Sequence, residues 1–460
     1  MPPIIALTGC LLFIAYLFIT DSRHRGDTSS GMLWIPLIWI VIIGSRPIAL
    51  WLNMGTVVTA EDLMDGSTLD RNIFIGLMLL GIAAIAKRNV RWSQLFASNP
   101  WIIVMLGYGA ISILWSDYPF VSLKRWVRGF GGILVILIIL TSAEPGKAVS
   151  WILRRFAYLT IPLSIVLIKY FPQYGTQYDT WSGLRMISGV AGSKNELGMI
   201  CLMNAYYYFW YVRSYKKNII GNPIHAVNTL IMIAMIVWLF LQVNSSTAIV
   251  CFLVGGGFLL FSAYAPVRRS IRYIGLYFLA AILVYFIIDW SFDIKGVIIR
   301  SLGRNETLTD RTYIWKALLD FGTNPWIGTG FESFWLGERL LRLWSSWEWG
   351  QISEAHNGYL EIYLNQGILG LLLFFIVVIE SYRKIKIELM TNFDYGSFQM
   401  GLLILMLLYN YSEAGFKVGS IILLFFWIIA LNCPSIHNNN PRVEESKTTS
   451  TVMRTIGNNC

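Results

Sequence analysis

The apolar residues of this chain are grouped in long blocks, and this grouping constrains its fold more than any other feature. A helix needs about 20 predominantly apolar residues to cross a bilayer. Thirteen blocks reach or approach that length, at about 3–20, 33–52, 72–86, 101–116, 129–143, 151–170, 197–212, 226–243, 247–264, 273–290, 359–380, 398–412 and 418–432. The pattern predicts an all-α integral membrane protein with about 12–13 transmembrane helices.

The composition agrees with a membrane protein. Hydrophobic residues make up 56% of the chain and charged residues 13%, whereas a soluble domain carries about a quarter charged residues. The net charge of +10 comes from basic residues in short loops between apolar blocks, so no nucleic-acid partner is predicted. The five cysteines contain no CxxC pair, which argues against a disulfide framework, a haem site or a zinc site.

Lysine and arginine cluster in every second loop, and basic loops face the cytoplasm. This rule places the N-terminus outside. The cytoplasmic loops then hold Arg23 and Arg25; Lys87, Arg88 and Arg91; Lys147, Arg154 and Arg155; Arg213, Lys216 and Lys217; Arg268, Arg269 and Arg272; and Arg383, Lys384 and Lys386. The long loop at about 291–357 falls on the periplasmic side.

These assignments give one membrane domain over residues 1–433 and a tail at 434–460. The first block lacks a basic n-region and a small-residue cleavage site, so we expect a retained helix rather than a signal peptide. The tail has little to bury and is predicted to be disordered and cytoplasmic. Within the long loop, Arg311, Trp315 and Leu318 share one helical face, and Gly322 with Pro325 should end that helix.

Several cations break the charge rule and lie towards the outer face. They are Lys124, Arg125, Arg128, Arg185, Lys194 and Arg311. Other polar groups at outward helix ends are Asp117, Asn195, Glu196, Asn244, Ser245, Ser246, Asn410 and Glu413. Clustered cations predict an anionic ligand, and a diphosphate fits because arginine offers a planar fork of donors. For Arg125 and Arg128, the alternative is that they only extend to lipid headgroups.

A polar stripe begins the helix after the long loop. Asn357, Glu361 and Asn365 are spaced four apart and therefore share one face. Polar side chains on a membrane helix are costly unless they face protein or water. The stripe is therefore predicted to face the protein interior or a water-filled site.

Three stretches together resemble the O-antigen ligase and O-antigen polymerase superfamily, and within it the exopolysaccharide polymerases. They are GLRMISGVAGSKNELG at 183–198, LTDRTYIWKALLDFGTNPWIGTGFESFW at 308–335, and EAHNGYLEIYLNQGILG at 354–370. The specific combination is Arg-x-x-x-Trp, then Pro-x-x-Gly-x-Gly, then His-Asn-x-Tyr-Leu. The resemblance covers about 115–372.

The resemblance implies a C-type glycosyltransferase-like fold with an active site on the periplasmic face of the bacterial inner membrane. Members of the superfamily move glycans from an undecaprenyl diphosphate carrier to an acceptor hydroxyl, without a metal or another cofactor. The implied partners are an undecaprenyl diphosphate-linked oligosaccharide, an acceptor glycan and membrane lipids. A chain-length regulator and a flippase are candidate protein partners.

The resemblance also assigns roles to individual residues. Arg185 and Arg311 match functional arginines of the family, and His356 matches its loop histidine. Lys194 matches a polar position that is neutral in many ligases, which favours the polymerase branch. The three cations are predicted to bind the diphosphate. His356 is predicted to be catalytic, as a general base or as the group that positions the acceptor, because its unperturbed pKa lies near neutrality.

A second group of residues is predicted to support the site. It comprises Asn195, Glu332, Asn357, Glu361, Arg125 and Arg128. Glu332 and Glu361 are competing candidates for the base, although Glu361 could instead be a structural hydrogen-bond partner. Gly328 and Gly330 are expected to form a turn that brings the long loop near the site. No Asp-x-Asp, GxxxxGK or HExxH motif is present, so no metal site is predicted.

Three functions remain open from the sequence. A polymerase would use another carrier-linked repeat as acceptor, whereas a ligase would use a lipid A-core sugar or a protein hydroxyl. A transporter of polysaccharide or lipid-linked glycan should place charges near the bilayer midplane or show inverted repeats. The outward polar groups and the lack of a visible repeat make transport the minor alternative.

Overall fold

The computed structural model describes residues 2–24, 31–52, 66–178, 183–292, 311–346 and 352–433. The statements below concern these residues. The predicted tail at 434–460 and the part of the long loop at 293–310 lie outside the described residues.

The described chain is helical almost throughout. The first half contains α1 (Pro3–His24), α2 (Trp34–Ile43), α3 (Ile48–Leu52), α4 (Thr68–Ala86), α5 (Trp92–Ser98), α6 (Pro100–Ile111), α7 (Pro119–Leu140), α8 (Pro145–Tyr170), α9 (Pro172–Gly175) and α10 (Lys194–Ile220). The second half contains α11 (Pro223–Val243), α12 (Ser246–Ala263), α13 (Ala265–Arg269), α14 (Ile274–Phe292), α15 (Arg311–Asp320), α16 (Gly337–Ser346), α17 (Gly358–Thr391), α18 (Phe393–Ser412) and α19 (Ile421–Ala430). Short 3-10 helices are Gly31–Leu33, Ser112–Trp115 and Ile271–Tyr273.

A small antiparallel hairpin interrupts the helices between α9 and α10. Its strands are β1 (Thr176–Tyr178) and β2 (Arg185–Ile187), with Tyr178 paired to Arg185. Apart from this hairpin, every apolar block of the sequence contains a helix. The all-α membrane fold is therefore confirmed.

The helices that can cross a membrane are fewer than the sequence pattern suggests. By length and composition, six described helices qualify, and the pair Trp92–Ser98 and Pro100–Trp115, bent by 87°, would make seven. The block at 33–52 breaks after Ile43, which leaves α2 with 10 residues, and α19 also has 10. The 22-residue α7 carries Lys124, Arg125 and Arg128. The count of about 12–13 spans stays a prediction, since it requires short or charged helices to cross as well.

Helix α8 lies at the centre of the bundle. Of its most apolar window, 78% is buried within the protein, against 22% for α1. Four tyrosines of α10 pack in the same core and are nearly inaccessible, namely Tyr206, Tyr207, Tyr208 and Tyr211.

A buried ion triad ties α1 to α8. The Asp21 carboxylate lies 2.9 Å from Arg154 Nε and 2.8 Å from Arg155 Nη1. The Arg155 guanidinium also lies 3.9 Å from the centroid of the Trp151 ring. The sequence pattern predicts these two arginines in a cytoplasmic loop, and that placement was wrong: α8 begins at Pro145 and contains both, almost fully buried.

The long loop docks on a break in α17. Gly367 has a φ of 65°, and the turn before it is interrupted. The amides of Ile368 and Leu369 donate to the carbonyls of Pro325 (2.8 Å) and Trp326 (3.1 Å). In the other direction, the amides of Thr329 and Gly330 donate to the carbonyls of Leu364 (3.1 Å) and Asn365 (2.8 Å). Loop 325–330 therefore replaces the hydrogen bonds that the helix loses.

We expect Asp21→Asn to lower the free energy of unfolding by about 3–5 kcal/mol, because it leaves two buried guanidinium groups without their carboxylate. Thermal unfolding in detergent measures the loss. Glu144→Gln is the matched control, since Glu144 pairs with Lys147 on the surface and should change stability by less than about 1 kcal/mol. Equal effects of the two variants would contradict a structural role for the triad.

Candidate functional site

Charged side chains from three segments meet at one end of the bundle. This end holds the start of α10, the start of α17 and the end of α18. We call the group formed by Arg311, Glu354, His356, Glu413 and Lys417 the charge cluster. Arg311 opens α15, Glu354 and His356 precede α17, and the other two follow α18.

Glu413 is bound from several sides. Its Oε1 accepts a hydrogen bond from Arg311 Nη2 (2.7 Å), and its Oε2 accepts one from Asn195 Nδ2 (3.2 Å). The same Oε2 lies 3.4 Å from His356 Nδ1. The Glu413 side chain is only 6% exposed. Water therefore has little access to these charges, which strengthens their attraction.

Glu354 forms the second acidic partner of the histidine. Its Oε1 lies 3.1 Å from His356 Nδ1, and its Oε2 accepts from Lys417 Nζ. Burial opposes ionisation of Glu354, but the adjacent Lys417 and His356 outweigh it and hold the pKa of this carboxyl well below its ordinary value. Burial likewise opposes the charge of Lys417, and Glu354 outweighs it, so that the pKa of Lys417 is raised.

His356 is held in its charged form by the two carboxylates. Burial alone would lower the pKa of His356, but the close approach of Glu354 and Glu413 raises it to about 9. Hydrogen bonding to the two carboxylates and their negative charge both raise the pKa of His356. The φ of 47° at His356 is in the left-handed region. Such strained backbone is characteristic of functional sites.

The polar stripe of α17 has a structural role. Asn357 caps the helix, since its Oδ1 accepts from the amides of Tyr359 and Leu360 at 3.0 Å each. Glu361 is 4% exposed. Its two oxygens accept from Trp335 Nε1 (2.8 Å) and from the Ala355 amide (2.6 Å). With both oxygens bound to the long loop, Glu361 holds that loop in place and is poorly arranged to act as a base.

Asn365 and Glu332 fasten the same loop. Asn365 Oδ1 accepts from the amide of Phe334 (2.9 Å). Glu332 Oε1 accepts from the amide of Val418 (2.8 Å), and the Glu332 carbonyl accepts from Arg125 Nη1 (2.5 Å). Glu332 therefore joins the long loop to the loop between α18 and α19, which carries Lys417.

Three other predicted cations, Arg128, Lys194 and Arg185, lie outside the charge cluster. The Arg128 guanidinium lies 4.5 Å from the centroid of the Phe74 ring. Lys194 is the first residue of α10, next to Asn195. Arg185 lies exposed on β2 and donates to the Ile168 carbonyl (3.3 Å). Among the described residues, no contact joins Arg185 to the charge cluster, so its role stays a prediction.

Several site residues were missed from the sequence. Two of them are Glu354 and Lys417. Lys417 satisfies the criterion that selected Arg311, because the predicted topology places it among the cations towards the outer face. Arg46 was hidden inside an apolar block. Its guanidinium donates to the Ala191 carbonyl and to Ser188 Oγ, both at 2.8 Å, and so fixes the loop that leads into α10.

Three residues of the charge cluster are of types that bind metal ions. Donor atoms of Glu354, His356 and Glu413 lie within 4.8 Å of one another. Both carboxylates, however, are already bound by Arg311 and Lys417. A metal would have to displace these cations or share their carboxylates, so the donor set fits an internal ion-pair network better than a metal site.

An apolar cavity lies beside the charge cluster. It is bounded by α6, α7, α17 and α19. Its walls are mainly aromatic and aliphatic, and Glu332, Glu361 and Lys417 supply polar atoms. Such a cavity suits an apolar ligand with a polar group at one end.

Comparison with known proteins gives two matches. Residues 229–375, which include Arg311 and His356, match a family model described as O-antigen ligase. The chain is also 24% identical over 296 residues to the exopolysaccharide production protein ExoQ of Rhizobium meliloti (strain 1021). That match covers 62% of this chain and 65% of ExoQ, which is less than two thirds of the relative's length. Together with the motifs and the helical membrane fold, these matches confirm the resemblance of this chain to the O-antigen ligase and O-antigen polymerase superfamily.

Proposed function

We propose that this chain is a metal-independent membrane glycosyltransferase that polymerises glycan units from an undecaprenyl diphosphate carrier. The observation that carries the proposal is the charge cluster, in which cations and a histidine meet at one end of the bundle beside an apolar cavity. Arg311 and Lys417 suit a diphosphate. The family matches support the same class of reaction.

The proposed reaction is one displacement at the sugar's anomeric carbon. The acceptor hydroxyl oxygen forms a bond to that carbon, and the bond from carbon to the diphosphate oxygen breaks. The diphosphate leaves with the electron pair, and Arg311 with Lys417 stabilises its developing charge. The acceptor proton moves to His356 Nε2, because Nδ1 faces the two carboxylates.

The proposed location is the bacterial inner membrane, with the charge cluster on the periplasmic face. The acceptor in a polymerase is a second carrier-linked glycan, and a chain-length regulator and a flippase are the proposed protein partners. A ligase that joins the glycan to lipid A-core or to a protein hydroxyl is the second candidate, supported by the description of the family model. The exopolysaccharide relative favours polymerisation.

We expect Ser345 to be accessible from the periplasm, since it lies exposed on α16 within the long loop. After replacement of the native cysteines, an impermeant thiol reagent should label Ser345→Cys in intact spheroplasts. The control is Lys147→Cys, at the predicted cytoplasmic end, which should react only after lysis. The reverse pattern would invert the proposed topology.

We expect Arg311→Ala to reduce transfer about 10²–10³-fold, the usual cost of losing one donor that stabilises a developing anion. Arg311→Lys should restore little, because lysine lacks the planar fork. Arg185→Ala is expected to abolish polymer as well if the family role applies. Polymer yield at matched expression measures the effect, with Arg342→Ala on the exposed face of α16 as control. Full activity of Arg311→Ala would remove this residue from donor binding.

We expect transfer to increase with pH up to about 9, because a base must be neutral and Glu354 and Glu413 raise the pKa of His356 to about 9. Below that value, the rate should fall about tenfold per pH unit, as the protonated fraction grows. His356→Gln should remove this dependence and most of the activity, whereas His225→Gln, at the Tyr211 hydroxyl, should retain both. A rate that falls between pH 7 and pH 9 would show that the imidazolium is the required form.

A further inference from the structure

The Glu413 carboxylate is shared between the two residues to which the proposed reaction assigns different tasks. Its Oε1 binds Arg311, and its Oε2 lies next to His356 and Asn195. Arg311 and His356 come from different elements, α15 and the loop before α17. Because the carboxylate is almost fully buried, water does not replace either partner.

The backbone fixes where this carboxylate lies. The Glu413 amide donates to the Tyr409 carbonyl at 3.0 Å, which ties it to the last turn of α18. The Glu413 carbonyl accepts from the amide of Gly358 at 3.0 Å, which ties it to the first residue of α17. A Cβ on Gly358 would lie 2.1 Å from Asn410 Oδ1, so the close approach of the two helix ends requires glycine.

We propose that Glu413 is a positioning residue that couples Arg311 to His356 by sharing one carboxylate between them. Its catalytic meaning rests on the proposed function, but the coupling itself is a property of the charge cluster. When an anionic donor binds Arg311, the guanidinium neutralises less of the negative charge of Glu413. That negative charge then acts more strongly on His356. Donor binding would therefore make the histidine a stronger base, and the linkage is reciprocal.

The charged groups around His356 set the sign of the expected effects. Glu354 and Glu413 face its Nδ1 directly. Behind them lie Lys417, bound to Glu354, and Arg311, bound to Glu413. Farther out, Glu361 is coupled to Lys417 and Glu196 to Glu354. Removing the charge of Glu413 should lower the proton affinity of His356, whereas removing Arg311 should raise it.

Titration of His356 in the full-length purified protein tests the coupling without any substrate. The chain has four histidines, and NMR of the protein with labelled histidine, assigned with His356→Gln, follows this one. We expect Glu413→Gln to lower the midpoint by at least about one pH unit, a tenfold loss of proton affinity. Arg311→Gln should raise the midpoint. In the Glu413→Gln background, most of the Arg311→Gln effect should disappear.

Two controls complete the experiment. Glu380→Gln removes a carboxylate that pairs with Arg383 on the surface of α17 and should leave the midpoint unchanged. If Glu413→Gln alone fails to fold, because Arg311 is left unpaired, the double variant removes both charges. Its midpoint should still lie at least about one pH unit below that of Arg311→Gln.

An unchanged midpoint in Glu413→Gln, or an Arg311→Gln shift of equal size in both backgrounds, would overturn the proposal. In an active preparation, the pH–rate profile of Glu413→Gln should move by the same amount as its NMR midpoint, which a purely structural role would not cause. A wild-type protein that shows the titration shifts but transfers no glycan would refute the proposed function and leave the coupling intact.

Discussion

The site depends on the interruption of α17 at Gly367. A continuous helix would have no free amides or carbonyls for loop 325–330 to bind. The close contact admits no side chain at this position, since a Cβ on Gly367 would lie 2.2 Å from the Trp326 carbonyl carbon. The loop continues directly into the segment that contacts Glu361 and Asn365. The docked loop is connected to the charge cluster through Glu361, which binds the amide of Ala355 next to Glu354, and through Glu332, which binds the amide of Val418 next to Lys417.

In the charge cluster, each carboxylate is paired with a cation. Two carboxylates face two cations, and His356 adds a charge that the carboxylates stabilise. Glu413 and Arg311 are mostly buried, and isolated charges at such positions would be costly. Paired in this way, they hold fixed positions before a ligand arrives, and such preorganised groups stabilise a transition state at little reorganisation cost.

The helices could be predicted from the sequence, because they depend on the local pattern of residues. The apolar blocks predicted the positions of the helices. The helix Arg311–Asp320 ends before Gly322, whose φ is 67°. The polar stripe of α17 also faces protein, as its spacing indicated. What the sequence could not supply was pairing at long range. Arg311 and Glu413 are 102 positions apart, and nothing in local periodicity relates them.

The partners of Glu361 and the buried placement of Arg154 could not be predicted from the sequence for the same reason. Each is explained by a partner that tertiary packing supplies, the Trp335 ring nitrogen in one case and Asp21 in the other. A basic residue near a helix end looks the same in sequence whether it faces cytoplasm or a buried carboxylate. The positive-inside rule counts charge and does not identify partners.

The ion triad between α1 and α8 also has a consequence for biogenesis. The ribosome delivers α1 first, and its Asp21 then has no arginine to meet until α8 has been synthesised. A carboxylate within an apolar helix is costly in lipid, so α1 should remain near the membrane surface at its Asp21 end during this interval. The ion pairs that fix α1 against α8 can form only once the centre of the bundle has been synthesised, which orders assembly in time as well as in space.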